Sequence, residues 1–244
     1  MDTKPWAEAM EPAWLSDIAE YPDLLRLPYQ ELQKEETPYR QVRRLLDCFE
    51  SFLKFLVFCS LQSLRQSPDL RQRMTGFLAG KICRPLSLGT WQECLDALID
   101  LLPPDRDCLS SDLLRFYGHK KHKGTQITPA ETHVFSDSDP YDTRFAPGAV
   151  GAFVAVRNRY AHTPVFQNTE CVEHFSRLLP VFNSMLEQVG FLKRYSLHVN
   201  GHEDAEPYLM HDDGDSYTLY PLVIWRNNSY YSRHRRCSCW LYCL

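Results

Sequence analysis

The chain has 244 residues, of which 44% are hydrophobic and 24% charged, as in an average globular protein. These values argue against wholesale disorder. Its formal net charge of −4 argues against a protein that coats nucleic acid non-specifically, because such binding relies on accumulated lysine and arginine. Any contact with nucleic acid would have to be local.

The chain contains no feature typical of membrane insertion or export. No apolar run reaches the roughly 18 residues that are needed to span a bilayer. The first residues, 1–6, lack the basic-then-apolar pattern of an export signal. Most of the nine cysteines stand alone inside helical patterns, where a reduced thiol behaves as a small hydrophobe. We therefore expect a soluble, cytoplasmic protein that does not bind a membrane.

Several segments before residue 118 have helical periodicity. Between Val42 and Val57 the apolar residues recur at intervals of three and four, which predicts a long amphipathic helix from Gln41 to about Arg65. Shorter helices are predicted, in chain order, over Asp69–Ile82, Trp91–Leu102 and Ser110–Tyr117.

The stretch 118–146 has no periodicity and is rich in polar residues and proline, which predicts a long exposed loop. Pro147 is suited to the first position of the next helix, which ends at Thr163–Pro164 because a residue before proline avoids helical angles. Asn168–Thr169 can then cap another long helix, with a bend expected at Pro180.

After Lys193 the pattern changes to short alternating runs. The runs 195–200 and 217–225 are separated by turn-rich segments at 201–206 and 211–215, which predicts two or three antiparallel strands. The expected fold class is mainly α with a small C-terminal antiparallel β appendage. The expected divisions are an N-terminal extension at 1–24, a helical domain at 25–194, the β appendage at 195–232 and an irregular tail at 233–244.

The most informative residues lie in the short helix after the loop, over the six positions from Arg157 to His162 (Arg-Asn-Arg-Tyr-Ala-His). Arginine is a permanent planar cation that suits phosphate, histidine titrates near neutral pH, and asparagine can orient either one by a hydrogen bond. At 100° per residue, Asn158 and His162 share a helix stripe with the small residues Gly151 and Ala155. We expect that stripe to line a cleft, with Arg157 at the margin of the apolar side.

The sextet resembles the Arg-Asn-x-x-x-His motif of the HEPN (higher eukaryotes and prokaryotes nucleotide-binding) family. The wider layout, over about residues 25 to 225, is similar to HEPN-like N-terminal regions of bacterial multidomain signalling and conflict proteins. The segments that carry this wider resemblance are Leu27–Tyr29, Phe49–Phe52, Arg84–Trp91 and Leu219–Leu222. The resemblance implies an up-and-down helical bundle that cleaves RNA without a metal or cofactor. It also implies a homodimer in which two motifs meet at one cleft.

The resemblance further implies a role for each residue of the motif. Arg157 would hold the scissile phosphate, and His162 would act as general base or acid for the 2′-hydroxyl that attacks it. Asn158 would orient His162 or the phosphate, and Arg159 could add a phosphate contact. The product would end in a 2′,3′-cyclic phosphate. The implied partners are RNA and other proteins of a bacterial defence or stress-response system.

Two further segments carry side chains with possible ligands. The basic residues of the long loop, which could track an RNA backbone or simply be solvated, are Lys120, Lys121 and Lys123. The segment 234–243 contains one histidine and three cysteines, but their spacing does not match the paired cysteines of structural zinc sites. We therefore expect no metal site.

Two functions remain open from the sequence. The first is a metal-independent RNA endonuclease. The alternative keeps the fold without the chemistry, as a non-catalytic helical module that senses a nucleotide or mediates dimer assembly in a larger system. An arginine and a histidine near a helix C-terminus also interact favourably with the helix dipole, with no chemistry implied. Burial of Arg157 or His162 in the core or in a salt bridge would exclude the enzyme.

Overall fold

The structure is a computed structural model, and it describes only part of the chain. The described residues are 12–65, 87–102, 108–117, 153–160, 167–200, 206–214, 216–218, 223–226, 229–232 and 240–243. The predicted helix Asp69–Ile82 and the predicted loop 118–146 lie outside them.

The described part of the chain is mainly helical, with antiparallel β-structure near the C-terminus, as the sequence predicts. The described helices, in chain order, are α1 (Asp23–Gln33), α2 (Pro38–Arg65), α3 (Leu88–Ile99), α4 (Cys108–Tyr117), α5 (153–160) and α6 (Asn168–Gln188). Short 3-10 turns occur at Ile18–Glu20 and Gly190–Arg194. Helix α3 begins at Leu88 and not at Trp91, because the Ser87 hydroxyl accepts a hydrogen bond of 3.2 Å from the Thr90 amide.

Helix α2 forms the centre of the helical part, with α1, α3 and α6 packed against it. All side chains from residue 51 to residue 64 are buried. Such a helix must satisfy its polar groups within the protein. Lys54 does so through an ion pair of 2.7 Å with Glu50, and the Ser60 hydroxyl donates a 2.9 Å hydrogen bond to the Leu56 carbonyl.

Part of the predicted N-terminal extension belongs to the helical core. Leu15, Ile18 and Tyr21 are buried. The hydroxyl of the fully buried Tyr29 accepts a 2.8 Å hydrogen bond from the Leu15 amide and donates one of 2.7 Å to Asn183 Oδ1. The residues that precede α1 therefore pack on α1 and α6.

The described strands form two antiparallel sheets, ordered β1-β2-β3 and β4-β5-β6. The strands are β1 (Tyr195–Asn200), β2 (Glu206–His211), β3 (Ser216–Thr218), β4 (Val223–Arg226), β5 (Ser229–Ser232) and β6 (Trp240–Cys243). The turn predicted between β2 and β3 is confirmed, and Gly214 adopts there a φ of 94° that glycine tolerates without strain.

Two strand predictions are corrected. The run 217–225 is not one strand, since its ends belong to β3 in the first sheet and to β4 in the second. Pro221, which has no amide hydrogen to donate to a strand ladder, lies between them in the sequence. The segment 233–244 is not irregular throughout, because Trp240–Cys243 pair with β5. That pairing supplies backbone partners that no local pattern indicates.

Replacement of Tyr29 by phenylalanine tests how firmly the N-terminal residues are docked. We expect Tyr29→Phe to lower the free energy of unfolding by about 1–3 kcal/mol, because the Leu15 amide and the Asn183 side chain each lose a buried hydrogen-bond partner. Urea denaturation measures the change. The control is Tyr39→Phe, which removes the hydroxyl of a 45% exposed tyrosine. Equal stability of the two variants would show that the Tyr29 hydrogen bonds contribute nothing.

Candidate functional site

Helix α5 carries the first part of the motif and is held against α2 by aromatic stacking. Phe153 is fully buried, and its ring lies 4.1 Å from that of Phe49 at an interplanar angle of 16°. Val156 is the second buried residue of α5, and the partly buried Val154 also packs against the core. Asn158 is exposed.

Arg157 lines a pocket of about 250 Å³ between α5 and α2. The residues that line this pocket are Arg43, Leu46, Asp47, Glu50, Arg157 and Tyr160. Arg157 is partly exposed. Within the described part of the chain, neither Arg43 nor Arg157 forms an ion pair shorter than 4.0 Å. Arg157 is therefore not excluded from ligand binding by burial or by a described carboxylate.

The pocket has both signs of charge, which the motif alone does not indicate. Glu50 is paired with Lys54, whose side chain is only 4% exposed. The pKa of the Asp47 carboxyl is raised above its usual value, chiefly by desolvation. Arg43, one helical turn earlier, offsets part of this increase. Arg43, Asp47 and Glu50 were not predicted from the sequence as site residues. Their spacing of four and three, which places them on one face of the amphipathic helix, was the available signal.

Arg159 faces the other side of α5 and forms an ion pair with Glu170 at the start of α6. Its side chain is still 58% exposed, but a phosphate would have to compete with that carboxylate. His174 lies next to the pair, with Nε2 at 3.7 Å from Glu170 Oε1. Burial lowers the pKa of His174, and the neighbouring Arg159 lowers it further, while Glu170 and Glu173 raise it.

Tyr160 joins the two sides of α5. Its ring lies 5.7 Å from that of His174 in an edge-to-face arrangement, and its hydroxyl is 3.4 Å from Cys171 Sγ. Since Tyr160 also lines the pocket, the same residue contacts α6 and the cavity beside α2. Helix α5 is thus fixed on both neighbouring helices.

The other predicted site residues lie outside the described residues, namely His162, Lys120, Lys121 and Lys123. Among the residues that are described, no three His, Cys, Asp or Glu side chains converge as metal ligands would. None of the described helices combines the length and the apolar character needed to cross a bilayer.

Comparison with protein families, with curated proteins and with solved structures found no match to this chain. The resemblance to the HEPN motif is therefore carried by the sequence alone, at the positions from Arg157 to His162.

Removal of the Phe153 ring tests the attachment of α5. We expect Phe153→Ala to lower the free energy of unfolding by about 3–5 kcal/mol, because it opens a cavity beside Phe49. Urea denaturation measures this loss. The exposed neighbour provides a control, and Asn158→Ala should change stability by less than about 0.5 kcal/mol. A small effect of Phe153→Ala would show that α5 is not held by this stack.

His174 should make stability depend on pH. Its pKa in the folded protein is below the ordinary 6.5, so the unfolded chain takes up a proton first as the pH falls. The folded state therefore loses stability below about pH 6.5, the ordinary value for histidine. We expect His174→Gln to lose less stability than wild type between about pH 7.5 and about pH 5, as measured by urea denaturation. The control variant is His198→Gln, which replaces an exposed histidine. Equal pH dependence of His174→Gln and wild type would contradict the prediction.

Proposed function

We propose that the protein is a metal-independent RNA endonuclease of a bacterial defence or stress-response system. The observation that carries the proposal is the position of Arg157, which lines a pocket and has no described carboxylate paired with it, whereas Arg159 is paired with Glu170. This difference agrees with the roles that the HEPN motif implies, in which the first arginine of the sextet binds the scissile phosphate.

In the proposed reaction the 2′-oxygen of one ribose attacks the adjacent phosphorus, and the bond from phosphorus to the 5′-oxygen breaks. His162 takes the proton of the 2′-hydroxyl or gives a proton to the leaving 5′-oxygen, and solvent exchanges the other proton. Arg157 stabilises the negative charge that develops on the phosphate, and Asn158 orients the histidine or the phosphate. The products are a 2′,3′-cyclic phosphate and a 5′-hydroxyl. A homodimer would bring two such motifs to one cleft.

The carboxylates of the pocket oppose an anionic ligand, and two contacts reduce that effect. Glu50 is neutralised by the 2.7 Å ion pair with Lys54. The Asp47 carboxylate is exposed to solvent, and the positive charge of Arg43, one helical turn earlier, opposes its negative charge. Arg43 and Arg157 then supply the positive charge that a phosphate needs.

The alternative is a module that binds a nucleotide, or assembles a dimer, without cleaving RNA. The mixture of charges in the pocket favours a nucleotide, because Arg43 and Arg157 suit a phosphate while the Asp47 carboxylate can accept hydrogen bonds from a base amino group. Such a module would bind a mononucleotide and leave RNA intact.

Cleavage of labelled total RNA in the presence of EDTA tests the enzyme. We expect His162→Ala to slow cleavage by about 10²–10⁴-fold, the usual contribution of a general acid or base. Arg157→Ala should slow it by about 10²–10³-fold, the usual loss of a charge-stabilising donor. Mass spectrometry should find products that are one water lighter than the linear phosphate.

The control for a non-specific loss of charge is Arg115→Ala on α4, an exposed arginine outside the pocket, which should cleave like wild type. Cleavage that is equal in wild type and His162→Ala, or absent from both, would contradict the enzyme. If the wild-type protein does not cleave RNA but binds a mononucleotide, as measured by calorimetry, the result would support the module.

A further inference from the structure

Tyr39, in the first turn of α2, is the large apolar side chain that the described part of the chain leaves most exposed, at 45%. It is not isolated on the surface. Its ring is stacked on that of Tyr160, with the centroids 6.3 Å apart and an interplanar angle of 25°, which lies within the usual range for offset aromatic pairs.

The stacked pair adjoins the pocket. Tyr160 is itself one of the residues that line the cavity, next to Arg157. Tyr39 lies one helical turn before Arg43, which also lines it, so the two side chains share one face of α2. An aromatic surface and two guanidinium groups therefore occur together at the junction of α2 and α5.

We propose that Tyr39, supported from behind by Tyr160, is a stacking platform for an unpaired base of single-stranded RNA. The proposal rests on the proposed function, since it takes RNA as the ligand of the pocket. A base on the exposed Tyr39 ring would leave its phosphate close to Arg43 and Arg157. Aromatic side chains beside cationic groups are the common means by which proteins hold single strands.

The same arrangement selects against duplex RNA. In a double helix the bases are stacked on each other, and only their edges and the backbone are accessible. Tyr39 can therefore contribute to the binding of a single strand and not to that of a duplex, whereas Arg43 can contact the phosphates of both.

The test is a binding measurement with fluorescent 2′-fluoro RNA of about ten nucleotides, which is within the usual site size for single strands. This probe has no 2′-hydroxyl and cannot undergo the proposed cleavage. We expect Tyr39→Ala and Tyr39→Leu to weaken binding of the single strand by about 5- to 150-fold, the equivalent of one stacked base. Tyr39→Phe, which keeps the ring, should bind within about twofold of wild type, and binding of the duplex should not depend on Tyr39.

A matched control is Tyr208→Ala on β2, outside the pocket. It removes another stacked tyrosine, whose ring lies 5.4 Å from that of His198 on β1. It should bind the single strand like wild type. Equal binding by wild type, Tyr39→Leu and Tyr39→Ala would overturn the platform, as would no binding by wild type. A concentration-dependent dimer that Tyr39→Ala abolishes, without any effect on the probe, would also overturn it and assign the tyrosine to protein contact.

Failure of the platform and failure of the enzyme are distinguishable. Tyr39-dependent binding of the probe, combined with no cleavage of natural RNA, would support the platform and contradict the nuclease. Cleavage that depends on His162 but not on Tyr39 would support the nuclease and contradict the platform.

Discussion

The enclosure of α2 is the constraint on which the remaining structure depends. A helix whose side chains are buried throughout one half can exist only if other elements cover it on every side. Helices α1, α3, α4 and α6 contact α2, and Phe153 of α5 stacks on Phe49. The polar groups that remain on α2 must then find partners inside the protein, as Lys54 does with Glu50.

The position of α5 follows from that enclosure. Its first described residue, Phe153, is fixed between aromatic rings of α2 and α6, and its last, Tyr160, contacts residues of both helices. The surface that remains between these anchors includes Arg157 on one side and Arg159 on the other. One face of the short helix is thereby open to the pocket, while the opposite face is tied to α6 by the ion pair with Glu170.

The parts of the fold that depend on local periodicity were predictable. The long helix α2 and the strand β1 follow from apolar spacing alone, because their residues face one core. The docking of Leu15 on Tyr29 and the pairing of β6 with β5 were not predictable, since they depend on partners distant in sequence or on backbone pairing. The candidate site likewise combines a predictable motif with tertiary contacts that could not be predicted.

The sequence indicated Arg157 because its neighbours form a recognisable motif, and it missed the α2 residues across the pocket. Arg43, Asp47 and Glu50 are ordinary polar residues of an amphipathic helix until α5 packs beside them. Tertiary contacts likewise decide that Arg159, and not Arg157, forms the ion pair with Glu170. Motif spacing cannot contain that information.

Glu50 belongs to two environments at once, which limits how the pocket can evolve. One side of it lines the cavity, while its carboxylate neutralises an almost fully buried lysine that also lies 5.8 Å from the Trp91 ring centroid. Loss of Glu50 would leave the charge of the buried Lys54 without this partner, which destabilises the fold. Arg43 and Asp47 can therefore change to suit a different ligand, whereas a change at Glu50 must be accompanied by a change at Lys54.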